Sequence, residues 1–96
     1  MKIMNIFIGY KLVRAGSECK SSDKWLEYVD WHEECANLCH ALNIIYRQHG
    51  GLDNLCKYFI VSNYAGSKKC YRELTTSSSC PEGWDEDSYD FYEMKG

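Results

Sequence analysis

The sequence predicts an α+β fold, with one helix packed on an antiparallel β-sheet and three disulfides stapling the two together. Three observations lead there. Six cysteines stand in 96 residues, and an even count in a short chain belongs to small domains crosslinked in an oxidising compartment. A single stretch, residues 30–49, carries an apolar stripe of helical period. Around it lie short β-branched and aromatic runs bounded by glycine, serine and asparagine. At 11.2 kDa the chain is one domain, residues 1–96 with a core from about 9 to 94. Packing alone would leave a domain of this size only modestly stable.

Residues 3–13 open as a strand. Ile6, Ile8, Tyr10 and Leu12 share one face by two-residue alternation, while Phe7 and Val13 take the other. Ala15-Gly16-Ser17 turns the chain, and Cys19 anchors a polar loop through Ser21, Ser22 and Asp23. Residues 25–29 form a short run of ambiguous period that leads into the helix.

The helix is expected over residues 30–49. Trp31, Cys35, Leu38, Cys39, Leu42, Ile45 and Tyr46 recur at three-and-four spacing, which places them on one stripe. Asp30 is positioned to cap the first turn, with Glu33 completing a capping box. Gly50-Gly51 ends the run behind Arg47 and His49, where the helix dipole favours positive charge. Cys35 and Cys39 are one turn apart and point at the same neighbouring layer.

Residues 56–61 are apolar at successive positions, as a central strand covered on both faces would be. Turn chemistry at 63–67 and a second run at 69–74, holding Cys70, complete a hairpin. A polar linker at 75–79 reaches Cys80-Pro81. An acidic loop at 82–87 contains Trp84, and residues 89–94 alternate as a closing strand.

Three chemistries compete for the cysteines: a disulfide framework, a structural zinc site and a redox pair. Structural zinc draws on paired knuckles of closely spaced ligands, and only Cys35 and Cys39 are spaced that closely. A Cys-x-x-Cys redox motif is absent. The spacing therefore favours disulfides.

Glu34-Cys35-Ala36-Asn37-Leu38-Cys39, Cys56-x-x-Phe59 and Lys69-Cys70-Tyr71 follow one another in an order that resembles the PAN/apple domain family. The opening Gly9-Tyr10-Lys11-Leu12-Val13 with Cys19 downstream, and the ending Ser79-Cys80-Pro81 before an aromatic strand, are similar to that family too. The likeness runs from Gly9 to Met94. It implies a nested pairing of Cys39 with Cys56, Cys35 with Cys70, and Cys19 with Cys80. It also implies adhesion by binding proteins or carbohydrates. The chain departs from the family pattern in the long segment between Cys39 and Cys56.

Several function classes find little support. The net charge of −3 argues against nucleic-acid binding, which needs an excess of cations to displace phosphate counterions. No apolar run reaches the length of a membrane span, so no membrane insertion is expected. The N-terminal run is broken by Asn5 and Gly9 and is too short for a signal peptide. If the cysteines are oxidised, export must be directed from elsewhere, so the chain reads as a mature domain or a module of a longer secreted or membrane-anchored protein. His32-Glu33-Glu34-Cys35-Ala36 starts like a zinc-protease helix but has alanine where the second histidine must stand. His32 and His40 read as solvated residues on the helix's polar side. No enzyme activity, metal or cofactor is expected.

The charges are unevenly placed. Residues 82–93 contain six acids and no base, while Lys57, Lys68, Lys69 and Arg72 cluster on or beside the hairpin. Asp85 and Asp87 alternate as calcium ligands would, but the remaining spaced oxygens are missing. The candidate binding residues are Tyr64, Lys68, Lys69 and Arg72, with Trp84 as a second platform or as a staple over the core. This basic tip would suit a sulfated sugar or an acidic protein partner. The expected function is an extracellular adhesion or recognition module for a protein or glycan. A self-assembling filament or coat subunit, and a secreted inhibitor or effector, are the alternatives.

Overall fold

The computed structural model describes residues 9–95, so the part of the expected first strand before Gly9 lies outside them. The elements are β1 (Tyr10–Arg14), β2 (Ser17–Cys19), β3 (Asp23–Val29), α1 (His32–His49), a 3-10 turn (Leu52–Asn54), β4 (Tyr58–Ser62), β5 (Lys68–Glu73), β6 (Trp84–Glu86) and β7 (Tyr89–Met94). Five strands form an antiparallel sheet in the order β1-β7-β4-β5-β3, and β2 pairs with β6 in a small separate ladder. The fold is α+β, with one helix on an antiparallel sheet. Two segments expected as loops are strands: residues 17–19 and 84–86 pair with each other.

β4 determines the layering. All five of its residues are buried, and alternation sends them to opposite faces. Phe59 and Val61 meet Cys35, Ala36 and Cys39 of α1 on one face, together with Tyr92 of β7. Tyr58 and Ile60 meet Cys19, Cys80 and Phe91 on the other, beneath the β2–β6 ladder. A strand buried at every position needs cover on both sides, and here the helix supplies one cover and the small ladder the other.

All six cysteines are bonded, as Cys19–Cys80, Cys35–Cys70 and Cys39–Cys56. No thiolate is left for zinc or for nucleophilic chemistry. Two bridges lie on the helix side of the sheet and the third on the ladder side.

The helix differs from expectation in three ways. Trp31, not Asp30, holds the N-cap position, and the reaching carboxylate belongs to Glu34. Glu34 Oε1 accepts from the backbone N–H of Asp30 at 2.7 Å and of Trp31 at 3.0 Å, satisfying donors a helix start leaves open. The buried positions are Cys35, Ala36, Cys39 and Asn43, whereas Trp31 is 68% and Ile45 51% exposed. The inward stripe is therefore narrower than the apolar one, because the disulfides fix which side of α1 faces the sheet. Third, His32, though exposed as expected, does not stand free in solvent. Its ring stacks on Tyr92 with centroids 5.3 Å apart, and Tyr10 Oη lies 2.7 Å from its Nδ1.

Asn43 ties the helix to the long segment that follows. Its side chain accepts from Cys56 N–H at 2.6 Å and donates to Cys56 O at 3.0 Å. Gly50 adopts φ 78°, the left-handed cap that ends α1. At the sheet edge, Lys95 N–H donates to Gly9 O at 2.8 Å, so the two ends of the described chain lie side by side.

Candidate functional site

The sheet face opposite α1 is only partly covered by the β2–β6 ladder. Beyond the ladder a row of aromatic rings runs across three strands. Trp25 of β3 meets Tyr28 edge-on at 4.7 Å and Tyr71 of β5 at 5.3 Å, and Tyr71 meets Tyr89 of β7 at 6.0 Å. Trp25 is 45% and Tyr28 57% exposed, and Tyr64 in the turn after β4 is 43% exposed. Burial pushes the Tyr89 phenol up to about 12, helped by the neighbouring Tyr71 and Tyr64 rings and the Glu18 carboxyl. Its hydroxyl stays protonated and able to donate.

A backbone irregularity builds this row. Trp25 and Tyr28 are three residues apart, which in a regular strand puts them on opposite faces. The β3–β5 register shifts between Trp25 and Glu27, as Trp25 faces Tyr71 while Glu27 faces Cys70. This extra residue at Leu26 returns Tyr28 to the face of Trp25. Leu26 and Val29 pack on the helix-side core instead.

The residues expected to bind a ligand fall in three places. Tyr64, Lys68 and Lys69 stand together at the hairpin turn, where Lys68 Nζ donates to Tyr64 O and Lys69 N–H donates to Ser62 Oγ at 2.8 Å. Trp84 is half-buried; its ring meets Phe91 edge-on at 5.0 Å and carries the Arg14 guanidinium 5.0 Å above it. That is the staple reading of Trp84, with a cation–π contact on its outer side. Arg72 is not part of the turn surface. It lies at the far end of β5, buried, opposite Phe59 on the helix-covered face. The exposed rings of Trp25 and Tyr28, and the half-buried rings of Tyr71 and Tyr89 that join them, were not among the residues expected from the sequence.

An acidic group borders the row. Glu18 sits opposite Asp85 in the β2–β6 ladder. Burial, then a shared hydrogen bond and charge repulsion with Asp87, push its carboxyl up to about 8. Beneath the ladder Glu73 is 2% exposed. Its Oε2 accepts from Cys19 N–H at 2.9 Å, and its Oε1 has no partner among the described residues. Burial pushes Glu73 up to about 8 against the pull of that N–H.

No family model, curated protein or solved structure matches the chain. Among the described residues, no helix is long and apolar enough to cross a membrane.

Proposed function

We propose that the chain is an extracellular recognition module of PAN/apple type that binds a glycan or protein through the aromatic row of its open sheet face. The observation that carries this reading is the exposure of Trp25 and Tyr28 on β3, which pairs with the crosslinked strand β5, and of Tyr64 in the turn after β4. Aromatic rings offer large contact area at low entropic cost. Strands held by Cys35–Cys70 spare most of the ordering that binding otherwise demands. Disulfide use supports an oxidising compartment.

Growth into a filament by strand addition is a weaker reading. The outer strands β1 and β3 each carry a register shift, a device that blunts sheet edges.

A glycan array, with a cell-surface binding assay beside it, tests the proposal. Signal that Trp25→Ala and Tyr28→Ala each reduce at least about ten-fold, as loss of a stacking ring should, is the expected result. Full binding by both folded variants, or a concentration-dependent polymer with no ligand, would sink it.

A further inference from the structure

Arg72 is a cation the fold buries without a counter-ion. It is 8% exposed, and its Nε has no hydrogen-bond partner among the described residues. The ion pairs there are Lys11–Glu93 and Lys20–Asp85, so none reaches Arg72. A guanidinium cannot shed its proton to escape burial, and an unpaired charge in a protein interior is strongly unfavourable. The adjacent carboxyl of Glu73 does not answer it. Glu73 pairs with Tyr58 on the ladder-side face, whereas Arg72 pairs with Phe59 on the helix-side face.

Arg72 borders a cavity of about 140 Å³, lined also by Leu55, Lys57, Leu74, Thr75 and Thr76, with two acids, Asp53 and Glu73, at its wall. The Thr75 hydroxyl is committed to Glu82 Oε1 at 2.7 Å. The guanidinium fork, the Lys57 ammonium and the Thr76 hydroxyl remain as donors around one small space.

We propose that this cavity is an anion site that takes one tetrahedral oxyanion, a sulfate group held by Arg72 and Lys57. Two cations face the Asp53 carboxylate, while burial, which raises Glu73 to about 8, keeps that second acid largely protonated at neutral pH, and a planar fork with a point charge beside it matches an oxyanion's several acceptors. The group can arrive as the free ion or as the sulfate ester of a sugar. The second source rests on the recognition reading above; the first does not.

Calorimetric titration of the oxidised protein with sodium sulfate, against sodium chloride at equal ionic strength, tests the site. Saturable one-to-one binding is expected. Lys57→Ala should weaken it about ten-fold and Asp53→Asn should tighten it about three-fold, as the sign of each charge requires. Arg72→Gln should abolish it; if that variant does not fold, the other two decide. Absence of sulfate binding beyond the chloride control, or indifference to both Lys57→Ala and Asp53→Asn, overturns the proposal. Galactose 6-sulfate, with galactose as control, separates the sources: tighter binding than the free ion assigns the site to a sugar ester, and weaker or equal binding to the ion. Trp25→Ala should leave sulfate affinity unchanged, so failure of the aromatic-row reading and failure of the anion site are told apart.

Discussion

Replacing Glu73 with glutamine should remove much of the loss of stability that the protein undergoes as the pH rises from about 5 to about 8. A free glutamate titrates near 4.5, and the buried Glu73 near 8. Between those values the folded chain holds a proton that the unfolded chain has released. The unfolded state then binds fewer protons, so stability falls as pH rises, by about 1.4 kcal/mol per pH unit. From pH 5 to pH 8 the loss is on the order of 4 kcal/mol, a large share of a small domain's total. Glutamine keeps the shape and an oxygen for the Cys19 N–H but carries no charge at any pH. Urea unfolding with the disulfides intact, at pH 5, 6, 7 and 8, should find Glu73→Gln equal to the native protein at pH 5 and more stable by roughly 3–4 kcal/mol at pH 8. Glu18, raised to about 8 by burial and by Asp87, contributes a slope of the same sign to both proteins, and its charge is one of the lesser causes that raise Glu73. Parallel stability curves would show that Glu73 is ionised in the folded state, and the reasoning from its burial would fail.

Intact mass under non-reducing conditions should lie six hydrogens below the reduced value, as three bridges require; a free thiol on native protein would contradict this. Paired serine substitutions should destabilise in the order of the loops closed. Separations of 61, 35 and 17 residues correspond to about 4.3, 3.8 and 3.1 kcal/mol in the chain-entropy picture, and a reversed order in urea would refute that account. Asn43→Ala should cost about 2–4 kcal/mol, because it leaves both backbone groups of Cys56 buried and unpaired. A change within 0.5 kcal/mol would show that water replaces the amide. Trp84→Ala should lower thermal stability by exposing Phe91 and freeing Arg14, with no loss in the binding assay.

The helix, the hairpin and the closing strand were legible because each rests on local signals. Glycine ends α1 at Gly50, and the successive apolar residues of β4 announce a strand covered twice. The short ladder between β2 and β6 was not. Three-residue strands carry too little period, and Ser17–Cys19 pairs with a partner more than sixty residues away. The aromatic row was hidden for a different reason. Alternation places Trp25 and Tyr28 on opposite faces, and only the extra residue at Leu26 reunites them; nothing in the local sequence announces a bulge. Arg72 looked like part of a basic surface because charge is normally solvated. Its burial follows from strand parity, since the face that holds Cys70 against the helix also holds the residue two positions on.

The pairing of β1 with β7, with Gly9 bonded to Lys95, has a mechanical consequence. Tension applied at the two ends would act across the ladder like fingers on a zipper, breaking hydrogen bonds singly and at low force. The opening would stop at Cys19–Cys80, because that covalent link closes the loop holding the helix, the hairpin and their two bridges. The 34 residues of the chain outside it can extend roughly 115 Å at full stretch. Under load the module would behave as a short, reversible tether around a core that force cannot unthread.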